Sequence, residues 1–258
     1  MPIGVVGLGE LGTIVVRGLR EAGHAVLGYD RMPSNVVAAT PLVEIARTCD
    51  LVLVAVATDA QVREVATELF TAMQSGTLVL HSTVTPRTPR ELAALAPDDV
   101  LVVDAPVSIH RDAESRPCVA YVGSDSPVPP EVSRVLVSYC REAIPVGGLG
   151  AGQLVKLANN VMSLVNTAVA AEALRLAAAA GADPDLVRRL ALKGSGASHA
   201  LATWPNRAEL FDEGAPSPRK RALAAKDLTA ALTVAVDLGV DLPLTRRAQE
   251  LLAAMAYL

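Results

Sequence analysis

Two stretches of the chain hold residues whose types and spacing can do chemistry. The first is Gly150-Ala151-Gly152-Gln153-Leu154-Val155-Lys156-Leu157-Ala158-Asn159-Asn160. Its glycines precede a long run of helix formers, so it reads as a helix opening after a flexible hinge. Lys156 and Asn160 then share one helical face, with Leu154, Leu157 and Val161 as a separate apolar stripe. A lysine with an amide beside it, at the expected junction of two domains, suits proton transfer. A solvated lysine at a helix start is the competing reading. The second stretch, Gly7-Leu8-Gly9-Glu10-Leu11-Gly12, is a GxGxxG run that follows a β-rich segment and opens a helical one. Gly7 permits a tight turn, Gly9 lets backbone approach a pyrophosphate, and Gly12 allows close helix–strand packing. The N–H groups and positive dipole end of the helix then face the phosphates of a dinucleotide.

Other candidates lie at strand ends. Asp30 can accept hydrogen bonds from an adenosine ribose 2′-hydroxyl and repels a 2′-phosphate, which favours NAD over NADP. Arg31 can pair with that phosphate or point into solvent. Ala57-Thr58 and the Ser82-Thr83 segment can line the nicotinamide ribose; helix capping by Asp59 and Thr85 is an equal alternative. After the fifth strand, Ser108 can donate to a substrate carboxylate, and His110 can do so, act as an acid, or merely occupy a loop.

The elements that must position these groups fall into two kinds. Short β-rich runs at 2–6, 25–29, 51–56, 77–81, 100–103, 118–122 and 143–146 alternate with helical patterns at 10–22, 59–72, 86–95 and 128–140. That alternation predicts an α/β dinucleotide-binding domain with a mostly parallel sheet over 1–148. The 32–43 segment is too short and polar for a full helix with its loops, so that crossover is expected to be abbreviated. From Gly150 the valine-rich runs vanish, and alanine- and leucine-rich helices are expected at 152–180, 184–193, 198–209, 219–238 and 243–257. This gives an all-α domain over 149–258 with a long first helix.

Composition narrows the function. At 51% hydrophobic and 3% aromatic residues the chain suits close-packed strands and helices and offers few stacking faces for nucleic acid. A net charge of −4 supplies no broad basic field, so bound phosphates must be held by local geometry. Cys49, Cys118 and Cys140 lack CxxC spacing and the histidines lack HExxH spacing, so no metal site is expected. No signal peptide is visible and charges interrupt the apolar runs, which leads to the expectation of a cytoplasmic protein without a membrane span.

Four ordered blocks resemble the β-hydroxyacid dehydrogenase family, of the 3-hydroxyisobutyrate dehydrogenase type and more remotely akin to 6-phosphogluconate dehydrogenase. They are GLGELG at the start, DAPVS at 104–108, GAGQLVKLANN at 150–160 and AKDLTAAL at 225–232; STVTP, GSGAS and GVDLPLT lie between and after them. The resemblance implies a Rossmann domain followed by an all-α domain whose long first helix builds a homodimer or higher homo-oligomer. It also implies Lys156 as general acid/base, Asn160 and Ser108 at a small-molecule substrate, and Thr83 and Lys226 at the cofactor. From its own surroundings Lys226 reads rather as a surface partner of Asp227.

The chain departs from the family after DAPVS, where Ile109-His110 replaces a pair of glycines and is expected to narrow or reshape the substrate pocket. The expected reaction is hydride transfer between nicotinamide C4 and a small hydroxy acid or semialdehyde. An imine reductase and a non-catalytic cofactor-binding protein are the alternatives; the lysine weighs against the first, and Lys156 together with Asn160 against the second.

Overall fold

A computed structural model describes residues 1–32, 34–110, 115–204, 207–211 and 217–256. The chain forms two compact units, Met1–Lys156 and Leu157–Leu258.

The first unit is built on an eight-stranded sheet. In chain order it comprises β1 (Ile3–Val6), α1 (Glu10–Glu21), β2 (Val26–Tyr29), α2 (Leu42–Thr48), β3 (Leu51–Val54), α3 (Asp59–Phe70), β4 (Gly76–Leu80), α4 (Arg87–Leu95), β5 (Val100–Asp104), β6 (Val107–Ile109), β7 (Cys118–Gly123), α5 (Pro130–Leu136) and β8 (Cys140–Gly147). The strand order is β2-β1-β3-β4-β5-β7-β6, with β8 also on β7. The first five strands pair in parallel. Such strands are covered on both faces, which is why they read as continuous Val/Leu/Ile runs. One core, with Val5, Val15, Leu19, Leu53, Val103 and Leu136, covers one face; a second, with Val6, Ile45, Val52, Val62, Leu80 and Leu92, covers the other. The order reverses at β1, so the loops after β1 and β3 border the crevice where such sheets bind ligands.

Several elements differ from expectation. The segment Val107–Ile109 is a strand, paired antiparallel to β7 with Ser108 opposite Val119. Two residues, Ala105-Pro106, cannot form a crossover, so the chain must turn back here and the sheet ends mixed. Ser108 is therefore held by a ladder, and Ile109 packs against the first core. Among the described residues, the 32–43 region makes an isolated Gly28–Ala39 bridge before the seven-residue α2. The expected 128–140 helix is confined to α5, because the chain already leads into β8 at Cys140.

Tyr139 and His81 are buried in this unit. His81 Nδ1 lies 2.6 Å from the Ala105 carbonyl and Nε2 lies 2.6 Å from the Tyr139 hydroxyl. Burial lowers the His81 pKa to about 4, so the ring is neutral near pH 7, with Nδ1–H donating to Ala105 and Nε2 accepting from Tyr139.

The helix α6 (Ala151–Ala179) has 29 residues, roughly 40 Å at 1.5 Å per residue. By length and composition alone it is apolar enough to cross a membrane, but Lys156, Glu172 and Arg175 interrupt its apolar run. Part of its apolar surface is used within the second unit, where Leu164, Ala168 and Ala171 pack with Leu228 and Leu252. That unit also contains α7 (Pro184–Ala191), α8 (His199–Ala202), a 3₁₀ turn (Ala208–Leu210), α9 (Pro218–Asp237) and α10 (Pro243–Ala256). Of the expected 198–209 helix, α8 and the 3₁₀ turn are seen, and residues 205–206 lie outside the described residues. Asp183 caps α7 through the Asp185 N–H, with Pro184 in the first turn as its sequence predicts.

Candidate active site

The glycine loop follows β1. Gly7 has φ +91°, and a Cβ there would overlap the Ala55 carbonyl; one at Gly12 would overlap the Gly7 carbonyl. Both neighbours are backbone and cannot yield as a flexible side chain would. Gly9 caps α1 without a side-chain hydrogen bond, so no side chain occupies the capping position where a phosphate would sit. The residues present thus fit a dinucleotide: backbone of Gly9, Glu10, Leu11 and Gly12 at the start of α1 can hold its pyrophosphate, whereas the Gly7 N–H is donated to the Tyr29 carbonyl and the Leu8 N–H to Asp30. Asp30 Oδ2 accepts the Leu8 N–H at 2.6 Å and Oδ1 accepts the Met32 N–H at 2.9 Å, tying the loop to the end of β2. Arg31 forms an exposed ion pair with Glu64.

After β3, Thr58 caps α3 in a capping box with Gln61, whose side chain also accepts the Ala57 N–H at 3.0 Å. Capping therefore falls to Thr58. Asp59 instead accepts the Thr85 N–H at 3.3 Å and the Thr88 hydroxyl at 2.7 Å. After β4, half-buried Thr83 lies between two residues held by the buried Gln153 amide. Gln153 Oε1 accepts the Val84 N–H and Nε2 donates to the Ser82 carbonyl, each at 3.0 Å.

Gln153 belongs to the first turn of α6, and that turn is held a second time. Asp104, at the end of β5, accepts the Gly150 N–H at 2.6 Å on Oδ1 and the Gln153 N–H at 2.8 Å on Oδ2. Three residues beyond Gln153, Lys156 places Nζ 3.3 Å from Ser108 Oγ, and the Tyr121 hydroxyl donates to the same oxygen at 3.4 Å. Ile109 and His110 are half-buried, and the His110 N–H donates to the Pro117 carbonyl at 2.7 Å. In the second unit Asn160 Nδ2 donates to Asp227 Oδ2 at 2.8 Å, while Lys226 Nζ is in ion-pair contact with Asp227 Oδ1 at 2.8 Å. That contact lies outside hydrogen-bonding alignment. Lys156 thus meets Ser108, and Asn160 and Lys226 converge on Asp227. Among the described residues no His, Cys, Asp or Glu cluster is placed to hold a metal.

Residues 2–148 match the model for the NAD binding domain of 6-phosphogluconate dehydrogenase. Residues 150–257 match the model described as NAD-binding of NADP-dependent 3-hydroxyisobutyrate dehydrogenase. The chain belongs to the β-hydroxyacid dehydrogenase family. It is 30% identical to 2-hydroxy-3-oxopropionate reductase of Escherichia coli, over 97% of this chain and 90% of the relative. It is 28% identical to 2-(hydroxymethyl)glutarate dehydrogenase of Eubacterium barkeri, over 96% and 87%. The solved structure of Mycobacterium tuberculosis 3-hydroxyisobutyrate dehydrogenase with L-serine superposes with a TM-score of 0.85 at 27% identity, covering 99% of this chain and 94% of that one. This chain is accordingly an NAD(P)-dependent dehydrogenase with a Rossmann sheet followed by a helical unit.

In this dehydrogenase four residues matter to the site geometry beyond those expected from sequence: Asp104, Gln153, Tyr121 and Asp227. Asp104 and Gln153 stand inside the quoted blocks, and their signal is a polar side chain next to apolar strand or helix residues. Asp227 is adjacent to Lys226, but its bond to Asn160 spans two helices and has no local signature. Asp104 is fully buried. Burial pushes its carboxyl up to about 6, opposed by the backbone N–H groups of Gly150 and Gln153.

Because the folded pKa exceeds the ordinary 3.8, the folded state binds more protons between those values. The contribution to stability is therefore fully present below about pH 4 and declines as pH rises toward about 6. An asparagine here offers one acceptor to two backbone donors. Relative to Asp104→Asn, the native protein is expected to lose on the order of 3 kcal/mol of unfolding free energy across that interval. Urea unfolding of both proteins at several pH values measures this, and parallel pH dependences would contradict it.

Proposed function

We propose that this enzyme interconverts a small hydroxy acid and its carbonyl form, with Lys156 as the proton-transferring group. NAD(P), when bound, supplies or accepts the hydride. Ser108 binds the carboxylate of the acid, and Lys156 takes the hydroxyl proton in oxidation and returns it in reduction. Asn160, fixed by Asp227, positions the reacting hydroxyl or carbonyl group. Thr83 and Lys226 bear on the nicotinamide side, with Ala57 and Thr58 on the ribose; His110 sets the shape of the substrate, whereas Ile109, opposite Cys118, lies on the core face of β6 and not on that of Ser108. The single observation that carries this reading is the 3.3 Å approach of Lys156 Nζ to Ser108 Oγ. A base and a carboxylate-binding hydroxyl at that separation suit neighbouring groups of one small acid. The lysine speaks against imine reduction, and its pairing with the serine against a purely binding role.

The enzyme uses NAD in preference to NADP on this reading. Asp30 accepts one backbone hydrogen bond on each oxygen, and a carboxylate has about four lone-pair sites, so ribose hydroxyls can still be accepted. Its charge opposes a 2′-phosphate, and Arg31 is engaged by Glu64. The protein acts as a homodimer or higher homo-oligomer through α6, where Met162, Val169 and Leu176 form an exposed apolar line. A monomeric mass in solution would contradict that assembly.

Replacing Lys156 by alanine should lower kcat by about 10²–10⁴ with 2-hydroxy-3-oxopropionate as a test substrate, while NAD(P)H still raises the melting temperature as in the native protein. Full turnover by the variant would remove Lys156 from the reaction. At equal concentrations NADH should raise the melting temperature more than NADPH does. A larger shift with NADPH would reverse the cofactor assignment.

A further inference from the structure

Tyr121 lies on the same face of the sheet as Ser108. Ser108 faces Val119 across the β6–β7 ladder, and Tyr121 is two residues further along β7. The alternate residues Cys118, Ala120 and Val122 enter the core on the other face. Tyr121 is anchored at both ends of its backbone. Its N–H donates to the Pro106 carbonyl at 3.1 Å. Its own carbonyl lies against Gly152 in the first turn of α6, where a Cβ would overlap it. The half-buried phenol therefore has a defined origin, and its hydroxyl reaches Ser108 Oγ at 3.4 Å.

Three elements thus contribute one polar side chain each to a continuous row. Tyr121 from β7 is 3.4 Å from Ser108 of β6, which is 3.3 Å from Lys156 of α6. Phenol, hydroxyl and ammonium are all hydrogen-bond donors. Such a row favours an anionic occupant, because charge-assisted bonds are roughly twice as strong as neutral ones. Two residues beyond Ser108, the His110 N–H is donated to the Pro117 carbonyl. Tyr121 is placed to give a carboxylate on Ser108 an additional side-chain donor.

We propose that Tyr121 is a substrate-binding residue that donates, alongside Ser108, to the carboxylate of the hydroxy acid and so selects acids over uncharged aldehydes. The proposal rests on the reading of Lys156 and Ser108 as the substrate end of the site. Removing the phenol oxygen weakens an acid by one charge-assisted bond and leaves an aldehyde without a carboxylate unaffected.

The test is Tyr121→Phe, which preserves the ring volume and leaves Ser108 and Lys156 in place. With 2-hydroxy-3-oxopropionate its KM should rise about tenfold and its kcat stay within about twofold. With glycolaldehyde, which lacks the carboxylate, KM should be unchanged. Equal changes with both substrates, or none with either, would overturn the proposal. A binding measurement separates this from the assignment of Lys156. With cofactor present, hydroxymalonate should raise the melting temperature of the native protein and raise that of Tyr121→Phe less. Equal shifts, or none in the native protein, would overturn the role of Tyr121 whatever Lys156→Ala does to turnover.

Discussion

The Asp104 carboxylate, buried at the end of β5, receives the Gly150 and Gln153 N–H groups from the start of α6. Helix starts leave such donors unsatisfied, and an anion there also meets the favourable end of the helix dipole. Burying the charge is unfavourable, as the raised pKa of Asp104 shows. The two backbone bonds offset part of that cost and fix the first turn of α6 against the strand end. Gly152 allows the close approach, because a Cβ there would overlap Tyr121 and Asp104. Since Lys156 follows one turn later, its separation from Ser108 depends on this contact.

Gln153 extends the same constraint to the loop after β4. One amide satisfies an N–H and a carbonyl on either side of Thr83 while its own backbone N–H goes to Asp104. The ends of β4 and β5 and the start of α6 are thereby joined by buried hydrogen bonds, which hold geometry where loops alone would drift. In the second unit Asp227 plays a comparable part for Asn160 and Lys226. The groups assigned to chemistry are thus each oriented by a neighbour that has no chemical step of its own.

Much of this was legible in sequence because it is local. The GxGxxG turn, the parallel strands and the long α6 follow from glycine placement, apolar runs and helix-forming composition, all readable within short windows. The strand β6 escaped notice because three residues between a proline and a polar loop have too little pattern; pairing with β7 makes it a strand. The alternative of capping by Asp59 at the start of α3 does not hold, because Thr58 and Gln61 form the box and Asp59 turns to Thr85 and Thr88. Helices expected to run long near 128–140 and 198–209 end early, since propensity does not mark where tertiary packing redirects the chain. The bonds of Asp104, Gln153 and Asp227 to their distant partners were not legible. They join residues far apart in sequence, and no spacing rule encodes them.

The central claim is that Ser108 and Lys156 bind the two ends of one small hydroxy acid. A crystal structure of the enzyme with NADH and hydroxymalonate addresses it directly. A carboxylate oxygen is expected within about 2.5–3.0 Å of Ser108 Oγ and the ligand hydroxyl within about 2.7–3.2 Å of Lys156 Nζ. A ligand bound elsewhere, or bound with its hydroxyl out of reach of Lys156, would contradict it.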